Sequence, residues 1–73
     1  MANTIRSSEY KEVIRKLKAA RMAAGLSQVE VAKKLNKSQS YISKAEAGEQ
    51  RIDVIELKKF ADIYTRNVNY FVT

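Results

Sequence analysis

The sequence predicts an all-α domain built from five short helices. The chain has no Pro and only two Gly in 73 residues. Its apolar residues recur at the i, i+3, i+4, i+7 spacing of a helix face, and no stretch alternates as a half-buried strand would. Between the periodic stretches stand residues that start and stop helices: Ser, Asp or Asn before them, Gly or Asn after them. At this length the chain makes one small domain with a modest core. With 45% hydrophobic and 30% charged residues it has the composition of a folded protein.

The first helix is expected to begin after Ser8, with the Ser8 hydroxyl as its cap and Glu9 favourably placed in the first turn. Tyr10, Val13, Ile14, Leu17 and Ala24 form its inward stripe, leaving Lys11, Arg15, Lys16 and Lys18 in water. Gly25 supplies the left-handed residue that ends it. Residues 1–7 are expected to be a flexible arm, and residues 8–73 the folded domain.

Ser27-Gln28-Val29-Glu30 reads as a capping box, in which Ser and Glu satisfy each other's backbone amides. It opens a helix to about Leu35, with Val31, Ala32 and Leu35 inward. Asn36 tolerates a left-handed turn, and Ser38 caps a third helix that runs to about Glu46 and is stopped by Gly48. Only about three residues separate these two helices, so they must cross steeply as a helix-turn-helix. Asp53 caps a fourth helix, with Glu56 at its third position, that buries Val54, Leu57, Phe60, Ala61 and Tyr64. Thr65 and Arg66 connect it to a final turn, capped by Asn67, that contains Val68, Phe71 and Val72.

The formal charge is +6, and it is unevenly spread. Residues 1–26 hold six Lys/Arg against two Glu, and residues 27–48 four Lys against two Glu. Residues 49–73 balance four basic against four acidic side chains. A basic portion joined to a neutral one suits a domain with one side toward phosphates and another toward protein. The chain contains no His and no Cys, and it has no Gly-rich phosphate loop. No catalytic constellation, metal site or cofactor is expected, and the chain is not read as an enzyme. No apolar run nears the roughly 20 residues that span a bilayer, so no membrane partner is expected and the cytoplasm is the default location. The basic first helix alone would fit a membrane-surface peptide, but four further capped helices argue against that.

The third helix carries the sharpest functional signal. At about 100° per residue from Gln39, Ser43 falls at about 40°, Ser40 at about 100° and Lys44 at about 140°. Tyr41, Ala45, Ile42 and Glu46 fall between about 200° and 340°. One face is therefore a set of short polar groups plus one Lys, free of acids. Gln pairs bidentately with adenine, Lys reaches guanine acceptors, and Ser donates or accepts. The same face would also serve as the solvated side of any amphipathic helix.

Leu26-Ser27-Gln28, Val31-Ala32, Leu35 and the run Ser38 to Gly48 resemble the Cro/repressor-like (Xre-type) helix-turn-helix family, over about residues 14–72. The resemblance implies a five-helix, lambda-repressor-like DNA-binding domain whose second and third helices form the reading unit. It implies base-reading roles for Gln39, Ser40 and Lys44, with Ser43 at the groove edge. Gln28, at a helix N-terminus, matches a residue that contacts a backbone phosphate. Ser38 and Tyr41 are further phosphate candidates, although Tyr41 serves equally as a shield over the core edge. Arg21 and Glu46 match a partly buried ion pair, and Ala32 a small residue that lets the two helices approach.

Four positions depart from the family pattern. Lys37 replaces an apolar residue and offers another phosphate contact. Ala45 is smaller than usual, leaving space for Tyr10 or Phe60. Val29 is apolar at an outward position. Thr65 stands where Gly is common, so the last connection is expected to follow a different path.

The expected function is sequence-specific binding of double-stranded DNA by a transcriptional regulator of the repressor kind. A homodimer is expected on energetic grounds, because one helix in one groove reads few base pairs. The neutral C-terminal helices, with Tyr70, Phe71 and Val72, are the candidate interface, unless these residues only close the core of the monomer. The rival reading is an antitoxin, or another protein-interaction module on the same fold, with a protein partner.

Overall fold

The computed structural model describes residues 8–72, and the expected arm at 1–7 lies outside them, as does Thr73. Five helices follow in order: α1 (Ser8–Ala23), α2 (Gln28–Leu35), α3 (Gln39–Glu46), α4 (Val54–Ile63) and α5 (Val68–Val72). No strand occurs among the described residues. Helix α2 packs on α3, α1 lies against both α3 and α5, and α4 closes against α2 and α5.

Each helix contributes one large side chain to the centre. Leu17, Val31, Ile42, Phe60 and Phe71 come from α1 to α5 respectively, and none is more than 1% exposed. Burying each such side chain contributes about 1.5–3 kcal/mol, so no single helix can be lost without opening the centre. Ala20, Ala32, Ala45 and Ala61 are also buried, and these small residues let the helix backbones come close.

The inward stripe of α1 differs from the sequence expectation at its end. Ala24 is exposed because α1 stops at Ala23, and Ala20, three residues after Leu17, takes the inward position. Ser8 lies inside the helix as its first residue. Val54, the first residue of α4, is 69% exposed instead of buried. Ala45 is fully buried, while Tyr10 is held at the far end of α3. The Tyr10 hydroxyl donates to the Gln50 carbonyl at 3.1 Å and accepts from the Ile52 amide at 3.0 Å, fastening the α3–α4 loop to α1.

Four helices end in the same way. In each, two amides beyond the last turn return to carbonyls inside it: Gly25 to Met22 and Leu26 to Arg21, Asn36 to Lys33 and Lys37 to Ala32, Gly48 to Ala45 and Glu49 to Lys44, Thr65 to Asp62 and Arg66 to Ala61. This double closure requires a left-handed residue at the first position. Gly25, Asn36, Gly48 and Thr65 hold φ of 73°, 60°, 76° and 56°. The connection after α4 therefore follows the glycine path, not a different one, and it does so with a β-branched residue that is strained there.

Helix α5 spans only five residues. Asn67 caps it by accepting from the Asn69 amide at 2.8 Å. The Tyr70 ring packs edge-on to Phe71 with centroids 5.0 Å apart, and carries Lys16 Nζ at 5.7 Å and the Arg66 guanidinium at 4.8 Å from its centroid.

Thr65→Gly should relieve the left-handed strain and stabilise the domain by about 1 kcal/mol, after allowing for the greater freedom of Gly in the unfolded chain. In a domain of this size that is a rise of about 4–8 °C in Tm. A thermal melt showing no rise would mean that Thr65 is unstrained.

Candidate nucleic-acid interface

The turn between α2 and α3 consists of Asn36, Lys37 and Ser38. Asn36 in its left-handed conformation closes α2, and two residues later the Ser38 hydroxyl accepts from the Tyr41 amide at 3.1 Å to start α3. At the other end of the motif the capping box is complete: the Glu30 amide donates to Ser27 Oγ and the Ser27 amide to Glu30 Oε1. The Ser27 amide holds the Glu30 carboxyl below its usual range, which keeps a negative charge at the positive end of α2.

With α2 and α1 packed against one side, α3 divides cleanly. Ile42 and Ala45 are fully buried, Tyr41 and Glu46 are half-buried, and Gln39, Ser40, Ser43 and Lys44 are exposed. The exposed set contains no acid. Lys44 stands in the last turn of α3, where a cation is favoured by the helix dipole.

The one acid of α3 is drawn inward. The Glu46 side chain is 4% exposed and that of Arg21 12%. Arg21 Nε donates to Glu46 Oε2 at 2.6 Å and Nη2 to Oε1 at 3.1 Å, while Nη1 donates to the Leu26 carbonyl at 2.8 Å. The carboxylate in turn raises the pKa of Arg21 above its ordinary value. The pair thus ties the end of α1, the loop before α2 and the end of α3 together.

The contacts continue into α2. Gln28 Nε2 donates to Glu46 Oε1 at 3.1 Å, and Gln39 Nε2 donates to Gln28 Oε1 at 2.8 Å. Four side chains from three helices therefore form one hydrogen-bonded row, Arg21–Glu46–Gln28–Gln39, ending at the exposed face of α3. Sequence reasoning places Gln28 at a helix N-terminus but gives no sign of its link to Glu46, 18 residues away. Two long polar side chains on separate helices leave no short-range pattern for such a link.

The remaining candidates lie beside this face. Lys37 is exposed, with Nζ 5.2 Å from the Tyr41 ring centroid and 3.8 Å from Glu56 Oε2. Tyr41 is half-buried beneath it, and burial, with Glu56 and Asp53 nearby, pushes its hydroxyl up to about 12. Tyr41 therefore both covers the core edge and carries a hydroxyl that stays protonated. Val29 is half exposed, on the outward side of α2.

A helix-turn-helix family profile matches residues 17–71. The chain belongs to the Xre-type helix-turn-helix family. Among solved structures, an XRE-family like protein from Pseudomonas syringae pv. tomato str. DC3000 is 37% identical, with a TM-score of 0.84 over 93% of this chain and 83% of that one. No curated protein matches the chain. The family is one of DNA-binding regulators, and its two-helix unit corresponds to α2 and α3 here.

Arg21→Met leaves the Glu46 carboxylate almost enclosed without its cation, and should destabilise the domain by about 3 kcal/mol in urea unfolding. A loss under about 1 kcal/mol would mark the pair as an ordinary surface contact.

Proposed function

We propose that the chain is a sequence-specific transcriptional regulator, of the repressor kind, that binds double-stranded DNA in the cytoplasm as a homodimer. In this reading α3 enters the major groove. Gln39, Ser40, Ser43 and Lys44 face base edges, and Ser38, Gln28, Tyr41 and Lys37 lie along the flanking phosphates. The observation that carries the reading is the composition of the exposed side of α3: three uncharged donors and acceptors, one Lys, and its only acid turned away into an ion pair. A helix that merely faced water would have no need to withdraw its acid.

The C-terminal residues proposed for the dimer divide in a way that redraws the interface. Phe71 is 1% exposed and closes the core, and Tyr70 is half-buried between Lys16 and Arg66. Val72 alone of the three is exposed, at 57%, and it shares a groove with Val54, which is also largely exposed. Val72 and Val54 line, with Tyr10, Val13, Ile52, Leu57 and one acid, Asp53, a largely apolar groove of about 270 Å³. A second copy covering this groove would bury the exposed valines.

Selection from random duplexes should enrich a palindromic motif with half-sites about 10–10.5 base pairs apart, bound less tightly as salt is raised. Gln39→Ala or Lys44→Ala should lose about 1–3 kcal/mol of binding and relax preference at one position per half-site. Retention of full specificity in the double variant would remove α3 as the reading element. Sedimentation should show a dimer that Val72→Glu converts to monomer. A wild-type chain that stays monomeric with and without DNA would assign the groove to a different protein partner, as the antitoxin reading requires.

A further inference from the structure

Helices α2 and α4 start with the same pattern, an N-cap side chain followed at the third position by an acid, and the two acids behave differently. At the start of α2 the Glu30 carboxylate returns to the Ser27 amide and completes the capping box. At the start of α4 the Glu56 amide donates to Asp53 Oδ1 at 2.8 Å. The Glu56 carboxylate, however, leaves its own helix and turns to the α2–α3 turn, where Lys37 Nζ lies 3.8 Å from Oε2. The Glu56 side chain is 17% exposed, and its enclosed Oε1 accepts no hydrogen bond among the described residues. The same ammonium stands 5.2 Å from the centroid of the Tyr41 ring, which lies about 200° around α3 from Gln39. Lys37 is thus drawn to the flank of α3 away from Gln39, toward an anion that the protein itself supplies.

We infer that Glu56 is a positioning residue that competes with DNA phosphate for Lys37, and so holds down the sequence-independent part of the affinity. This rests on the proposed reading of Lys37 as a phosphate contact beside α3. An ammonium is a point charge on a flexible stem. At 3.8 Å from Glu56 Oε2 it is attracted but not locked by a short hydrogen bond. With 39% of its side chain exposed, Lys37 is open to capture by a nearby phosphate. Its departure strips the cation from a carboxylate that is mostly shielded from water, and that cost offsets the phosphate contact. The offset is the same on every duplex, because a phosphate contact carries no base information. Affinity and salt dependence are therefore lowered together.

The test is a double-mutant cycle over positions 37 and 56 in the full chain, read as binding to a selected operator duplex and to a random duplex across a salt series. Glu56→Gln keeps the shape of the side chain and removes the competing charge. It should tighten binding to both duplexes alike, by about two- to fivefold. It should also steepen the slope of log affinity against log salt by up to about 0.9, the value for one further phosphate. Glu56→Ala, which leaves no amide in the place of the carboxylate, should move both readings in the same direction. Lys37→Met should weaken binding more in the Glu56→Gln background than in the wild type. In the Lys37→Met background, Glu56→Gln should give little gain.

An equal gain from Glu56→Gln with and without Lys37 would mean that the carboxylate acts only through the general field of the protein, and the inference fails. Unchanged affinity and salt slope in both Glu56 variants, or weaker binding by both, makes Glu56 a structural partner of Lys37 and overturns it as well. In these cases the reading of α3 stands, provided Gln39→Ala still relaxes base preference. If the wild type binds no duplex, or Lys37→Met leaves the salt slope of Glu56→Gln unchanged, the proposed phosphate contact is what fails, and the inference goes with it.

Discussion

A carboxylate that water barely reaches must find its donors inside the protein, and at Glu46 this requirement organises much of the molecule. The donors come from Arg21 at the end of α1 and Gln28 at the start of α2. Arg21 also reaches the carbonyl of Leu26 in the loop between those helices. Three helix ends and one loop are thereby fixed relative to one anion. Net stabilisation from such a pair is small, because removing both charges from water offsets most of the attraction. Its value lies in geometry, since few other arrangements of α1, α2 and α3 would satisfy the same charge.

Around this polar junction the apolar packing is shared almost evenly. Each helix places one large side chain at the centre, and α2 to α5, at ten residues or fewer, are too short to be stable alone. The helices are brought together by burial, and their ends by repeated use of one backbone closure. That closure makes the connections short. A three-residue turn between α2 and α3 leaves little freedom in their crossing angle, so the exposed side of α3 is presented by a stiff support and not by a mobile loop.

Much of this was legible in the residues themselves. Ser27, Ser38 and Asp53 are strong helix starters and act as caps at those positions. Gly25, Asn36 and Gly48 are the types that tolerate left-handed backbone, and they mark three helix ends. Thr65 carries no such mark, because its left-handed conformation runs against its own preference. The periodicity of α1 pointed to Ala24 instead of Ala20, since the Gly25 closure ends the helix before Ala24 can pack. Val54 has the right spacing for the core, yet burial also needs a neighbour, and spacing is silent on neighbours. The exposed side of α3 could be read from the helical angle alone. The row from Arg21 to Gln39 could not, because it joins residues from three helices whose proximity exists only once the core has formed.

Helix α5 is one turn of helix entered through a strained joint, and a single buried ring anchors it. A segment this short, held by one fully buried ring, is of the kind that opens locally before the rest of a domain. In the proposed dimer, Val72 belongs both to this segment and to the contact with the second copy. Docking of α5 and association are then linked equilibria, and the apparent dimer affinity is scaled by the fraction of chains with α5 seated. A ligand or temperature change that loosened this last turn would lower operator occupancy without touching a DNA contact.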